Sequence, residues 1–242
     1  MSVNEKMTAI ADAIRAKTGG ADPLTLDQMA QEIEGLSSGD YDEGFEEGVL
    51  SVPFYRASVL QRTFELVVFP ENYECVIHLQ KIQEQYAVFR NAKNLKSVKM
   101  ISDNTEGTIS LNAFVSETEV EFVDLTEYCR KISVATRFAY KATKLKSVYG
   151  ALDMSNCTVF TDWLYLASNL EDMEFVPNTI KHSLSFSSCP LLTDTTIQSI
   201  IDGLADLTGT TAQKVTFHKA VGNKLTDEQK TTVSAKNWTL VY

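Results

Sequence analysis

The sequence predicts an α+β fold: a β-solenoid of 25-residue repeats, with a helical N-terminal segment before it and an α/β C-terminal cap after it. Three observations predict it. Leu95, Val120, Leu145 and Leu170 recur every 25 residues, and Val98, Val123, Val148 and Met173 keep step three positions later. Two further columns, Ile109/Val134/Val159/Leu184 and Phe114/Ala139/Leu164/Cys189, hold the same period. Apolar columns that share one period without slipping mark stacked units burying a common core. Outside this stretch the period breaks and helical spacing takes over.

At the N-terminus, Val3, Met7, Ile10 and Ile14 line one side of a helix that stops at Thr18-Gly19-Gly20. After Asp22-Pro23, Thr25 and Gln28 fit a capping box ahead of Leu26, Met29 and Ile33. Residues 1–36 are therefore expected to form a helical hairpin. It is too small to bury its own apolar stripes, so it is a candidate for attachment or homo-oligomerisation, with packing inside the chain as the alternative. Residues 37–53 are acidic and glycine-rich, the composition of a linker. Asp40 and Asp42 open like a calcium loop, but Phe45 stands where the obligatory glycine belongs and Ser51 where the closing glutamate belongs. No metal is assigned there.

Residues 54–88 carry two strand-like runs, 63–69 and 74–79, around Pro70-Glu71-Asn72. They are expected to form a hairpin, serving as an N-terminal cap or imperfect first coil. Over residues 89–194 each repeat offers two strands. The first follows an L-x-x-L-x-L outline, from which Gly150 departs; the second alternates, as in Thr108-Ile109-Ser110-Leu111. Residues 195–242 are expected to cap the repeats. Asp194 or Thr195 can start a helix with Ile197, Ile200, Ile201 and Leu204 on its apolar face, and 214–218 reads as a strand. Thr226 and Gln229 form another capping box, followed by a helix to about Lys236 and a last strand, 238–242.

With 44% apolar residues the chain can build a sizeable core. The net charge of −10 and pI near 4.8 argue against nucleic acid, whose phosphates require a basic footprint. No apolar run reaches the length of a signal peptide or a membrane span, so no membrane insertion is expected. The four cysteines include no close pair, and two of them fall in or beside apolar columns, so all read as free thiols. No phosphate loop, zinc-protease helix or nucleophile elbow is present. His182 shares a column with Gly107, Ile132 and Cys157 and is expected in or at the edge of the core. No catalytic residue, metal or cofactor is predicted, and the chain is expected not to be an enzyme.

A ligand would meet the outward positions beside the first strand of each repeat. One such row is Lys99, Asp124, Tyr149 and Glu174; its neighbour is Ser97, Phe122, Ser147 and Asp172. Phe122 and Tyr149 stand out because outward aromatics stack on sugars or fill a partner's pocket. Alternatively they pack on a neighbouring loop or subunit. The candidate binding residues are Lys99, Phe122, Asp124, Tyr149 and Glu174, and the expected partner is a protein or a cell-surface glycan.

The L-x-x-L-x-L units, with aromatic-small pairs such as Ala113-Phe114 and Phe138-Ala139 between them, resemble the BspA-like bacterial leucine-rich repeat family. The Leu-Lys-Ser-Val stretches at 95–98 and 145–148, each with an alanine three residues earlier, are the closest matches. About half the chain is covered. The resemblance implies a binding scaffold, as in bacterial surface adhesins. Residues 7–36, followed by Tyr41, Gly44 and Gly48, resemble the opening of tail-associated proteins from phages and prophages of gut bacteria. The ending, with Leu207-Thr208, Lys224-Leu225-Thr226-Asp227 and Asn237-Trp238, resembles the close of such proteins. This second resemblance implies a tail component in the virion, or in the cytoplasm before lysis. An adhesin at the cell surface, its export leader removed, is the alternative.

Overall fold

A computed structural model of the chain describes residues 49–53, 60–61, 64–79, 85–102, 107–128 and 130–242. They belong to the second of two compact units, 48–242; the helical hairpin expected over 1–36 lies outside the described residues. Six strands form one parallel sheet in chain order: β1 (Val49–Pro53), β3 (Val68–Leu79), β5 (Lys93–Ser102), β7 (Phe122–Glu127), β9 (Ser147–Leu152) and β10 (Asp172–Phe175). A second parallel sheet joins β2 (Leu60–Gln61), β4 (Gln85–Tyr86), β6 (Ile109–Asn112) and β8 (Ile132–Val134). The third joins β11 (Leu184–Phe186), β12 (Gln213–Phe217) and β13 (Trp238–Val241). Three helices, α1 (Asp194–Gly203), α2 (Lys219–Gly222) and α3 (Asp227–Ala235), connect the strands of this last sheet.

The expectation of an α+β solenoid is thereby corrected for the described residues. Among the described residues every strand pair is parallel, helices are few, and each helix lies between parallel strands as in a βαβ unit. The arrangement is of the α/β type. The physical reason is direction: equivalent segments 25 residues apart run the same way and hydrogen-bond edge to edge, for example Val98↔Val123↔Val148.

The apolar columns become the core. Leu95, Val120, Leu145 and Leu170 are buried, as are Val98, Val123, Val148 and Met173, in one continuous cluster that also takes in Ile109, Leu111 and Ile132 of the second sheet. Between the sheets the chain turns through corners with two left-handed residues each: Ala87/Asn91, Ala113/Glu117, Arg137/Lys141 and Asp162/Leu166, with φ from 48° to 61°. None is glycine, so each carries steric cost. Stacking offsets it. Arg137, Ala139 and Lys141 donate their backbone N–H groups to the carbonyls of Thr161, Trp163 and Tyr165 in the next corner at 2.9, 2.8 and 2.7 Å.

Five local expectations are corrected. The hairpin around Pro70-Glu71-Asn72 is instead the single strand β3, paired in parallel with β1 and β5. Pro70 falls between Val68↔Lys93 and Tyr73↔Leu95, where the ladder is irregular and a missing N–H is tolerated. β1 begins at Val49, inside the segment read as linker. In the third apolar column Ile109 pairs with Ile132, not Val134, so Ile132 takes the buried slot and Val159 is 39% exposed. The same drift leaves His182 exposed rather than packed. The N-cap of α1 is Thr193, whose hydroxyl accepts from the N–H of Thr196, rather than Asp194 or Thr195.

Gly150 has a specific job. At φ +97° it lies where β9 gains residues on β10, between Val148↔Met173 and Leu152↔Phe175, and a Cβ there would come within 3.1 Å of the backbone of Leu125 and Thr126.

Candidate recognition face

The outward rows of the six-stranded sheet arise from simple alternation: Val98, Val123 and Val148 point inward, so their neighbours on either side point out. Lys99, Asp124 and Tyr149 are in register across β5, β7 and β9, and so are Phe122, Ser147 and Asp172 across β7, β9 and β10. Ser147 departs from the outward reading. It is 5% exposed, with its hydroxyl 3.5 Å from the Asp172 carboxylate.

The five candidate residues divide into two groups. Lys99 donates to Glu127 Oε1 at 2.5 Å and lies 4.0 Å from Asp124 Oδ2. The Glu127 hydrogen bond, more than the nearby charges, holds the Lys99 ammonium above its usual range. Asp124 also accepts from the N–H and hydroxyl of Thr126 at 2.9 and 2.6 Å. Both residues are therefore engaged within the face itself. Sequence reasoning missed Glu127, because β7 gains a residue between Lys99↔Asp124 and Ile101↔Glu127 and turns Glu127 toward Lys99.

Phe122, Tyr149 and Glu174 stand where a ligand can reach. The Phe122 and Tyr149 rings are stacked with centroids 6.3 Å apart and planes 12° from parallel, and Tyr149 is 46% exposed. Lys146 Nζ lies 5.9 Å from the Phe122 centroid while donating to Glu121 Oε2 at 2.6 Å. That hydrogen bond holds the Glu121 carboxyl below its ordinary value. The ring pair is thus backed by an ion pair.

Tyr149 and Glu174 line one wall of a groove of about 750 Å³ whose other wall is α1. The position of α1 follows from backbone accounting. β10 is the last strand of its sheet, and its outer edge would leave donors unpaired. Thr196 Oγ1 accepts from Met173 N–H at 3.1 Å and Ser199 Oγ from Phe175 N–H at 2.9 Å, so α1 substitutes for a seventh strand. Its exposed side then contributes Asp194, Gln198 and Asp202, spaced by four residues. Those three were not read as site residues; their helical spacing was the available signal. Gln198 Nε2 donates to Asp202 Oδ1 at 2.9 Å and Gln198 Oε1 accepts from Gln229 at 3.1 Å, fixing this wall.

Among the described residues no three histidine, cysteine or acidic side chains converge as a metal-binding group. Burial pushes the thiols of Cys75 and Cys189 up to about 12 and that of Cys157 to about 11, so they stay protonated near neutrality. No described helix is long and apolar enough to cross a membrane. Comparison with protein-family profiles, with curated proteins and with solved structures finds no match.

Proposed function

We propose that this chain is a non-enzymatic recognition protein of a phage or prophage tail apparatus, attached through its N-terminal segment and contacting a host-surface ligand through the outward face of the six-stranded sheet. The observation that carries the recognition part is the Phe122–Tyr149 pair: two stacked rings, one half exposed, on a parallel sheet whose neighbouring rows are fixed by ion pairs. A preorganised aromatic surface loses little side-chain freedom on binding, which is what an adhesive face needs. The tail assignment is supported by the resemblance of residues 7–48 to tail-associated proteins. Kinship with the BspA-like family is proposed on the Leu-Lys-Ser-Val stretches.

Mass spectrometry of purified, induced phage particles tests the assignment; the chain is expected among virion proteins, and its detection only in the bacterial envelope would replace the tail reading with that of a surface adhesin. Binding of the purified chain to host envelopes tests recognition. A folded Phe122→Ala/Tyr149→Ala variant is expected to lose most of that binding, and full retention would remove this face from consideration.

A further inference from the structure

Ion pairs between neighbouring turns recur along the sheet, and the groove has none. Four lysines each meet an acid from a neighbouring turn: Lys96 with Glu74 at 3.0 Å, Lys144 with Glu119 at 3.0 Å, Lys146 with Glu121 at 2.6 Å, Lys99 with Glu127 at 2.5 Å. Even the smaller cavity of about 200 Å³ beside Asn94 has Lys96 and Lys144 facing Glu119 and Glu121. The groove between β10 and α1 is lined by Asp172, Glu174, Asp194 and Asp202 and by no lysine or arginine. Among the described residues, none of the four is in an ion pair. Lys236 adds its charge near Asp202 but turns its ammonium to the carbonyls closing α1, those of Ile201, Asp202 and Leu204, at 3.1, 3.1 and 2.7 Å. It does not line the groove.

We propose that this groove receives a lysine- or arginine-bearing segment of a protein partner, its cationic side chain held between the carboxylates and the Tyr149 ring. The inference rests on the recognition reading above and names the partner's chemistry. Charge complementarity selects the occupant, because four carboxylates lining one groove repel one another and a cation relieves that repulsion. Tyr149 adds a second reason. With Phe122 stacked on it, the exposed part of its ring can take an ammonium or guanidinium by a cation–π contact. A neutral saccharide would stack on the ring and could donate hydroxyl hydrogen bonds to the carboxylates, yet it would leave their charge unneutralised.

Fluorescence anisotropy with labelled tetralysine and the whole chain tests the proposal. Binding is expected at low ionic strength and should weaken about tenfold as salt rises toward about 0.2 M, since the Debye length then falls below the groove's dimensions. Glu174→Gln/Asp194→Asn should weaken it about tenfold, Tyr149→Ala a few-fold, and Glu117→Gln on a distant corner not at all, with circular dichroism unchanged throughout. The proposal is overturned if tetralysine does not bind at low salt, if Glu174→Gln/Asp194→Asn binds it as the parent does, or if a neutral oligosaccharide binds in its place with no salt dependence. Envelope binding separates the two readings. If the chain binds envelopes and loses this in Phe122→Ala/Tyr149→Ala while ignoring tetralysine, recognition stands and the cationic partner falls; if it binds no envelope, recognition itself falls.

Discussion

Thr196→Val/Ser199→Ala removes the two hydroxyl acceptors that end the six-stranded sheet. The backbone N–H of Met173 then loses its partner at 3.1 Å and that of Phe175 its partner at 2.9 Å. Thr196 is 2% exposed, so water cannot replace its oxygen, and valine keeps its volume, so little cavity cost is added. An unsatisfied buried donor costs about 1–3 kcal/mol, and the half-buried Ser199 site should fall at the low end of that range. The pair should therefore cost about 2–4 kcal/mol, close to additive because each hydroxyl serves a different donor. Loss of the 3.1 Å contact between the Thr193 and Thr196 hydroxyls adds to this, but the N-cap acceptor on Thr193 remains. Urea denaturation measures the total as a lower midpoint at constant slope. Amide hydrogen exchange supplies the local reading: Met173 and Phe175 should exchange faster while Val123, in the middle of the sheet, does not. A loss below about 0.5 kcal/mol, with both amides still protected, would refute the claim that α1 closes the sheet edge.

Other outcomes follow from the same packing. Leu145→Ala, in a fully buried column, should cost about 2–5 kcal/mol in urea denaturation, and a surface-like cost would contradict the register of β9 against its neighbours. Gly222→Ala would place a Cβ 2.1 Å from the Tyr242 ring and 2.4 Å from its Cβ; it should destabilise by about 1–3 kcal/mol, and most of that should vanish in a Tyr242→Gly background if the clash is the cause. Cys75, Cys157 and Cys189 should resist iodoacetamide at pH 8 in the folded chain and react on unfolding, as read by peptide mapping. Their folded values of about 12, 11 and 12 lie above the ordinary 9.0, so above pH 9 the unfolded state gives up protons first. Stability should accordingly fall as pH rises from 9 toward 12, and a flat profile there would contradict their burial.

The apolar half of the fold was legible because period 25 is a statement about burial. Leu145 and Val148 are in the core for the reason the spacing implies, and strand-to-strand register follows from it. The corners were not legible. Left-handed turns are usually marked by glycine, yet here Ala87, Ala113, Arg137 and Asp162 take that conformation, the first three stabilised by hydrogen bonds to the next corner that no local sequence signal reveals. Drift in the second sheet was hidden for a related reason. Ile132 and Val134 are both apolar and two residues apart, so either could fill the slot beside Ile109, and only the pairing of the two strands shows that Ile132 does. Sheet direction and the class of the fold depend on such closure, which is why an α+β reading gave way to parallel α/β.

The face itself divides along the same line. Alternation alone puts Phe122 and Tyr149 outward, but it cannot tell that Lys99 and Asp124 are absorbed by Glu127 and Thr126, because a bulge in β7 brings those partners round. Nor can one period describe a groove built from two. Asp172 and Glu174 recur with the strand repeat of 25, whereas Asp194, Gln198 and Asp202 follow a helix that lies outside it, and the two sets meet only because Thr196 and Ser199 bring α1 onto the edge of β10. The hydroxyls that terminate the sheet are thus the same groups that create the groove. Stability and recognition are coupled there: a variant that frees α1 should weaken tetralysine binding even with every carboxylate and Tyr149 intact.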